Sequence, residues 1–439
     1  MAERLISAIA TPAGTGGVGV IRVSGKNALL LAKAMFQPSG KVSVTDFTPN
    51  RMYTGKIVCD GFTDFGMCVF FRAPKSFTGE DVVEFHCHGG VEIARGVLKA
   101  TFAHGARSAE RGEFTKRAFI NGKLSLSSAE GMIDMINAES LAEVRAGGLL
   151  YREKLTKKVI AVQSDLKDML AKIAVDTDYP EEGIAESDLG DSGERLNAVL
   201  GEINGLVEAY SGGKFIKSGV TVALCGAPNA GKSSLLNALL GYDKAIVSPT
   251  PGTTRDAVEG MIIIDGVKYN LIDTAGIREQ AGEIESIGIE RARRILTTAD
   301  VVVCLSETGD FSAAAGVDGE RVINVFSKCD QATPCGDYHL VISSFTGEGL
   351  EQLKRAIARK ATGGRALDGA FVIEERHYLA LKRAREGLLS AIAGLSNGFP
   401  LDVISLDLRS VWQTLGEITG ETADEEIINT VFAKFCVGK

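Results

Sequence analysis

The sequence predicts a multidomain protein of α/β and helical architecture, with an N-terminal α+β domain and a helical domain into which a P-loop α/β domain is inserted. Its 439 residues are too many for one hydrophobic core and suggest about three domains. Leu, Ile, Val and Ala recur at three- and four-residue spacing on both sides of a stretch in which strand and helix patterns alternate. One interrupted helical domain explains this order, and two separate helical bundles are the alternative. The predicted domains span 1–118, 119–212, 215–363 and 370–439.

The individual elements follow from apolar patterning. In the first domain we predict strands at Val18–Val23 and Met67–Phe71 and a helix at Gly90–His104. An acidic segment, Val175–Gly183, predicts a turn within the first helical stretch. In the α/β stretch Asp265-Gly266 separates two apolar runs and predicts a β-hairpin. The last stretch is predicted to form helices at Glu374–Leu395, Asp402–Gly416 and Ala423–Phe435.

Composition excludes several classes of protein. A formal net charge of -8 argues against a general electrostatic nucleic-acid binder, although not against a local basic patch. The eight cysteines include no C-x-x-C pair, so neither a zinc ribbon nor a disulfide framework is indicated. Neither a long apolar run nor a signal-peptide pattern occurs. We therefore expect a cytoplasmic protein without a membrane span.

The most informative segment is Gly226-Ala-Pro-Asn-Ala-Gly-Lys-Ser233, which fits the pattern G-x-x-x-x-G-K-[ST]. An apolar strand pattern at Val220–Cys225 precedes it, and a helix pattern at Ser234–Leu240 follows. In this context the backbone N–H groups of the loop surround the phosphates of a nucleotide. Lys232 would reach the β- and γ-phosphate oxygens, and the Ser233 hydroxyl would bind Mg²⁺.

Three further motifs indicate that the nucleotide is GTP. Asp273-Thr-Ala-Gly276 follows a strand pattern, so that its carboxylate can reach the Mg²⁺ water shell and its glycine can face the γ-phosphate. Ser327-Lys-Cys-Asp330 resembles the guanine-reading N/T-K-x-D motif, in which Asp330 accepts from guanine N1–H and the exocyclic amine. Ser343-Ser-Phe345 resembles the loop that contacts the guanine oxygen. Ser327 stands where Asn or Thr is usual, which predicts weaker nucleotide affinity with guanine specificity retained.

Other segments resemble the tRNA-modification GTPase MnmE (TrmE) family over nearly the whole chain. The segments that carry the resemblance are Ala8–Arg22, Ser76–Glu84, His88–Gly90, Arg111–Lys123, Gly252–Asp256, Asp273–Arg278, Leu415–Glu421 and the terminal Cys436-Val-Gly-Lys439. The terminal Cys-aliphatic-Gly-Lys and the N-terminal segments are more specific to this family than the nucleotide motifs are.

The resemblance implies that the N-terminal domain binds a tetrahydrofolate derivative (5-formyl- or methylene-tetrahydrofolate) and mediates homodimerisation. The implied folate contacts are Arg22, Glu84, Lys123 and Lys439. A carboxylate suits the amide and amine edge of a pterin, and cations suit its glutamate tail. Each residue alone is more commonly just solvated. Cys436 would serve one-carbon chemistry if its pKa were lowered, and a small buried hydrophobic residue is the alternative.

The resemblance also implies a K⁺ ion beside the phosphates and GTPase domains that meet across the dimer. Switch I would be Gly252–Asp256, in which Thr254 would join Ser233 as a ligand of Mg²⁺. Arg255 is the candidate for an arginine finger that would take the place of K⁺, although the resemblance favours K⁺. The implied K⁺ ligands are Asn229, Ser248, Thr250 and Thr253; Asn229 is otherwise a turn residue. The predicted GTP contacts are Asn229, Ala230, Gly231, Lys232, Ser233, Ser234, Ser248, Thr250, Gly252, Thr253, Thr254, Asp273, Thr274, Ala275, Gly276, Lys328, Asp330, Ser343 and Ser344.

A polar residue must orient the attacking water, because Ile277 occupies the position where small GTPases often carry Gln. By chemistry alone the candidates are Glu279, Gln280, Glu283 and Glu285. The family pattern selects Glu285 as the catalytic residue, and a solvated helix residue is the alternative reading.

As a whole, the resemblance implies a GTP-hydrolysing component that helps install a carboxymethylaminomethyl or aminomethyl group at C5 of the wobble uridine of tRNA. The implied partner is the flavin-containing MnmG (GidA), in a heterotetramer or larger assembly. Two alternatives remain: a switch GTPase that binds RNA or the ribosome, and a folate-dependent aminomethyl-transfer protein in which GTP only regulates oligomerisation. His86-Cys-His88 could indicate a metal site, but no paired cluster of ligands lies nearby in the sequence. A packed or hydrogen-bonded loop is therefore the favoured interpretation.

Overall fold

The structure is a computed structural model that describes residues 4–178, 186–242, 260–274, 285–364 and 369–438. The chain divides into two compact units. The first comprises Met1–Ile133, Leu150–Asp168 and Arg409–Lys439, and the second comprises Asp134–Leu149 and Met169–Leu408. The predicted domain boundaries stay predictions.

The first unit contains a seven-stranded sheet in the order β3-β4-β5-β6-β2-β1-β7. All its neighbours are antiparallel except β1 and β7. Helices α1 (Ala28–Met35) and α2 (Val91–Ala103) share an apolar core with the sheet. The predicted strands at 18–23 and 67–71 and the helix at 90–104 are confirmed. The strands are β1 (Ile6–Ile9), β2 (Val18–Ser24), β3 (Phe36–Pro38), β4 (Met52–Cys59), β5 (Phe62–Phe71), β6 (Val82–His88) and β7 (Arg107–Ser108).

Five helices follow in the described part of the chain. They are α3 (Glu113–Ile120), α4 (Leu126–Asn137), α5 (Leu141–Tyr151), α6 (Lys154–Asp178) and α7 (Glu186–Ser218). The turn predicted at 175–183 is wrong for its first four residues, because α6 continues through Asp178. Val175 is exposed in this part of the helix. Charged residues are common on the solvent-facing side of a helix, so the acidic composition of the segment does not end it. The rest of the predicted turn, 179–183, lies outside the described residues.

The P-loop domain is built on a six-stranded sheet in the order β13-β12-β11-β8-β10-β9. All pairs are parallel except the predicted hairpin, β9–β10, which is confirmed with Ile264 opposite Val267. Buried aliphatic residues of the parallel strands form its core, as expected for a sheet with helices packed against it. Its elements are β8 (Val220–Gly226), α8 (Lys232–Tyr242), β9 (Gly260–Ile264), β10 (Val267–Asp273), α9 (Glu285–Thr298), β11 (Val301–Ser306), β12 (Val322–Phe326), β13 (Leu340–Val341) and α10 (Leu350–Thr362).

The chain returns to helices after this domain: α11 (Glu375–Ser396), α12 (Leu401–Thr419) and α13 (Glu425–Ala433), as predicted. These helices pack on those that precede the P-loop domain. In the first unit Phe432 of α13 shares an apolar cluster with Leu126 of α4. In the second, the rings of Tyr210 and Tyr378 stack with centroids 4.3 Å apart. The helical arrangement is therefore discontinuous, rather than two separate bundles. Within the described residues we find no helix that is both long and apolar enough to cross a membrane.

Candidate functional site

The P-loop is the turn between β8 and α8, and its backbone is set by local geometry. A Cβ on Gly226 would lie 2.3 Å from the carbonyl oxygen of Leu305, so only glycine lets strand β11 approach this closely. Asn229 adopts the left-handed region with φ of 64°, which asparagine tolerates better than most residues. The ammonium of the buried Lys232 donates to the carbonyls of Gly226 at 2.9 Å and Ala227 at 2.8 Å. The loop thus holds its cation at the N-terminus of α8, where anions bind.

Ser233, at the start of helix α8, and Asp273, at the end of strand β10, meet beside this loop. The Ser233 Oγ donates to Asp273 Oδ2 at 2.9 Å, and Asp273 is buried. Asp273 reaches this position because β10 runs parallel to β8 and ends beside Leu224. Thr274 follows, and its hydroxyl donates to the Leu224 carbonyl at 2.9 Å. A hydroxyl and a carboxylate oxygen are ligands that Mg²⁺ prefers, so the two residues fit that ion.

Ser327 connects the guanine-reading loop to the P-loop. It follows strand β12 and is only 2% exposed. Its Oγ donates to the carbonyl of Ala230 at 2.8 Å, and its backbone N–H donates to Ser306 O at 2.8 Å. The hydroxyl is therefore engaged with the P-loop. Sequence reasoning considered the reach of this serine toward the nucleotide and missed this contact.

Asp330 and Ser343 come together on the loops that follow β12 and β13. The Ser343 Oγ donates to Asp330 Oδ1 at 2.6 Å, and this hydrogen bond lowers the pKa of Asp330. The carboxylate is thereby kept ionised, which is the acceptor form that guanine requires. Lys328 has a left-handed backbone, with φ of 59°, and its Nζ lies 2.5 Å from Glu307 Oε2. Ser344 is half-buried in the same loop as Ser343.

The remaining predicted residues of the nucleotide site either have a described position or lie outside the described residues. Asn229 and Ser234 are exposed at the P-loop, and Ala230 is buried beneath it. Glu285 is the first residue of helix α9. The predicted contacts that lie outside the described residues are Ser248, Thr250, Gly252, Thr253, Thr254, Ala275, Gly276 and Lys439. The other candidates that lie outside them are Arg255, Ile277, Glu279, Gln280 and Glu283.

Arg22 and Glu84 form an ion pair in the N-terminal sheet. They are direct partners in the register of β2 and β6, with Nε and Oε1 2.8 Å apart. The guanidinium lies 5.6 Å from the ring centroid of Phe77 and 5.7 Å from that of Phe114. Burial raises the pKa of Glu84, but His86 and Arg22 lower it by more, so the group stays a carboxylate at neutral pH. The sequence carries no signal for the flanking rings, because they come from other elements.

Lys123 belongs to the same region. Its Nζ donates to the carbonyl of Pro74 at 2.9 Å, on the loop that also carries Phe77. The adjacent Asn121 donates through its side chain to Thr78 O at 2.7 Å. Lys123 therefore lies beside the loop that flanks the Arg22–Glu84 pair, although no direct contact joins Lys123 to that pair among the hydrogen bonds of the described residues.

The segment 436–438 docks on the N-terminal sheet. Val437 bridges Arg111, and Gly112 N–H donates to the Cys436 carbonyl at 3.4 Å. Gly438 has φ of 98°, and a Cβ there would lie 2.2 Å from Ile9 O. Ile9 is the residue next to Ala8, which pairs with Arg22 in the β1–β2 ladder. Cys436 is exposed, so the alternative that it is a small buried hydrophobic residue is wrong.

The His86-Cys-His88 segment forms part of strand β6 and is not a loop, which corrects that detail of the prediction. His88 Nδ1 lies 2.6 Å from Asp64 Oδ1, and Cys87 is buried with its thiol on Gly19 O. Because side chains alternate along a strand, Cys87 points away from the face of the two histidines. Within the described ranges, no group of three or more His, Cys, Asp or Glu could hold a metal ion. The hydrogen-bonded interpretation is confirmed.

Comparison with known proteins covers the whole chain. The family model described as the MnmE helical domain matches residues 126–436, and that described as the GTP-binding protein TrmE N-terminus matches 5–123. The tRNA modification GTPase MnmE of Desulforamulus reducens is 37% identical, with 100% of each chain covered. That of Moorella thermoacetica is also 37% identical with 100% of each covered.

Among solved structures, the G domain of the T. maritima FeoB iron transporter is 32% identical over 32% of this chain and 98% of its own. Its TM-score against this chain is 0.25. The two family models and the full-length relatives agree with the nucleotide motifs and with the discontinuous helices. The chain belongs to the tRNA modification GTPase MnmE family, and it is a GTPase.

Proposed function

We propose that this GTPase is the GTP-hydrolysing component of an enzyme that adds a carboxymethylaminomethyl or aminomethyl group to C5 of the wobble uridine of tRNA. Membership of a tRNA modification family supports the tRNA part of the proposal. The observation that carries the rest is a second polar site on the same chain, the Arg22–Glu84 pair with the docked segment 436–438 beside it. A GTPase that served only as a switch would not need this site.

In this proposal the second site binds a tetrahydrofolate derivative, which supplies a one-carbon unit when bound. The ionised Glu84 would accept from the amide and amine edge of the pterin, and Arg22 holds that carboxylate in place. The rings of Phe77 and Phe114 offer apolar surface next to it. Lys123 and Lys439 would bind the anionic tail. Cys436 is exposed in the docked segment, as a thiol that takes part in this chemistry would be.

At the nucleotide site, Ser233 and Thr254 would hold Mg²⁺, with Asp273 acting on its water shell. Asn229, Ser248, Thr250 and Thr253 would hold K⁺, which supplies positive charge where negative charge develops between the phosphates. Glu285 would orient the attacking water. We further propose that GTP and K⁺ bring the GTPase domains of a homodimer together, and that a flavin-containing partner of the MnmG (GidA) type supplies the redox step.

Hydrolysis measurements test the nucleotide half of this proposal. Replacing K⁺ by Na⁺ at constant ionic strength should suppress GTP hydrolysis by the full chain, whereas an ordinary switch GTPase would be little affected. Glu285→Ala should leave GTP binding largely intact and abolish most turnover. Equal turnover in the two salts, or normal turnover by Glu285→Ala, would refute the assigned roles.

Calorimetric titration with 5-formyl-tetrahydrofolate tests the other half. Wild-type chain should bind it, and Arg22→Gln should weaken binding at least about tenfold, because it removes the cation that holds the Glu84 carboxylate in place for its charge-assisted contact with the pterin, a contact that contributes ~1.5–3 kcal/mol. Arg95→Gln is the matched control, because Arg95 lies in the same domain and its ion-pair partner among the described residues is the exposed Glu92. Binding that is absent from the wild type, or equally affected in both variants, would contradict a folate site here.

A further inference from the structure

The second unit contains a cavity of about 610 Å³ that lies away from the residues of the nucleotide site. One wall is the hairpin turn of β9–β10, Asp265-Gly266, and the opposite walls are the start of α5 and the last turns of α10. Ile216, at the end of α7, adds apolar surface. The volume falls in the range of small-molecule sites, roughly 300–1,000 Å³.

Three arginines line this cavity from two elements. Arg145 comes from α5, whereas Arg355 and Arg359 lie one turn apart on α10. Asp265 is the acidic residue among the described lining residues, so the lining carries an excess of positive charge. Like charges at i and i+4 on a helix destabilise each other. In the described part of the chain, no ion pair is formed by Arg355 or Arg359 that would offset this repulsion.

The walls are held in place by polar contacts between α5 and the hairpin. The backbone N–H of Ala142 donates to Gly266 O at 3.2 Å. Lys268 of β10 lies 2.8 Å from a carboxylate oxygen of Glu139 and 3.4 Å from one of Glu143. The cavity is therefore a built feature between two fastened elements, rather than a gap between loosely packed surfaces.

We propose that this cavity binds a small organic anion with at least two carboxylate or phosphate groups. The guanidinium groups of Arg355 and Arg359 would bind one anionic group of the ligand, and that of Arg145 would bind another. A planar guanidinium group can pair with a carboxylate or with a phosphate through two parallel hydrogen bonds. The apolar lining from Ile216 and Val267 suits the carbon skeleton of such an anion. This site does not depend on the proposed folate or tRNA chemistry.

The position of the cavity couples it to the nucleotide. Strand β10 forms part of its wall through Val267 and Tyr269 and ends at Asp273 in the Mg²⁺ site. An anion that favours one position of the hairpin would therefore change GTP affinity, and the nucleotide would change anion affinity by the same factor. Because the coupling is reciprocal, either ligand can report it.

Calorimetric titration of the full chain, saturated with GDP and Mg²⁺ so that the P-loop is filled, tests the proposal. The probes are fructose 1,6-bisphosphate and tricarballylate, which distinguish phosphate from carboxylate recognition, at constant ionic strength. Wild-type chain should bind at least one of them. Arg355→Gln and Arg359→Gln should each weaken that binding at least about tenfold, with basal GTP hydrolysis unchanged.

Arg409→Gln is the control, since Arg409 is an exposed arginine of α12 outside the cavity. Thermal unfolding of each variant would show that it is folded. The proposal is overturned if neither probe binds the wild type, if both cavity variants bind like the wild type, or if Arg409→Gln weakens binding equally.

Discussion

The hydrogen bond from Ser327 to Ala230 makes a quantitative prediction about nucleotide affinity. This bond joins the residue that follows strand β12 to the P-loop, at 2.8 Å and with Ser327 only 2% exposed. Ser327→Ala removes the donor and leaves no hydroxyl to pair with the carbonyl of Ala230. A buried acceptor that loses its donor costs about 1–3 kcal/mol, so we expect the free energy of unfolding to fall by this amount.

The same substitution should weaken GDP binding. The two loops that Ser327 joins are predicted to bind opposite ends of the nucleotide, so the free protein would have to order them on binding once the bond is gone. A loss of about 1–1.4 kcal/mol corresponds to a five- to tenfold weaker Kd. Guanine preference over adenine should be unchanged, because Asp330 and Ser343 are not altered.

Calorimetric titration with GDP and chemical denaturation of the GDP-free chain would measure both effects. Ser396→Ala is the matched control, since it also removes a serine hydroxyl that donates to a carbonyl, that of Ile392 at 2.9 Å, but at an exposed position at the end of helix α11. The control should change neither quantity by more than about 0.5 kcal/mol. If Ser327→Ala matches the control in both measurements, the buried bond does not organise the nucleotide site.

Three other predictions concern single contacts. Asp330→Asn should weaken GDP at least about 100-fold, because two charge-assisted hydrogen bonds are lost, and should favour xanthosine diphosphate; unchanged GDP affinity would contradict the base assignment. Glu113→Gln should destabilise the chain by about 1–3 kcal/mol at neutral pH. Burial raises the pKa of Glu113, but Arg107 and neighbouring donors lower it by more, so wild-type stability from this group exists above the unfolded pKa and is lost as pH falls through the folded one. Denaturation curves should therefore converge in acid, and a pH-independent difference would count against the ion pair. Lys268→Met should cost about 3–5 kcal/mol by leaving the buried Glu143 without its cation; unfolding curves like those of the wild type would show that this contact is not stabilising.

Local patterns predicted the fold well where one segment contains the whole signal. The P-loop strand and helix, the Asp265-Gly266 hairpin and the three late helices are confirmed within a few residues. The turn prediction is wrong at 175–178, where helix α6 continues, because acidic composition alone does not end a helix: charged residues are common on an exposed helix face.

The parts of the site that could not be predicted depend on contacts between distant segments. The Ser327–Ala230 bond joins residues whose separation in the chain is 97, and the Arg22–Glu84 pair requires the register of β2 and β6. The docking of Gly438 on Ile9 depends on a backbone contact between opposite parts of the chain. Sequence patterns indicate which residues are chemically suitable, but tertiary packing decides which of them meet.

The most direct test of the proposed function is mass spectrometry of tRNA nucleosides from cells with and without this gene. We expect deletion to remove a 5-aminomethyl-type uridine from the wobble position, the intact gene to restore it, and the Glu285→Ala version to fail. An unchanged nucleoside profile after deletion, in cells without a second copy of the gene, would contradict the proposal that this GTPase takes part in modifying the wobble uridine.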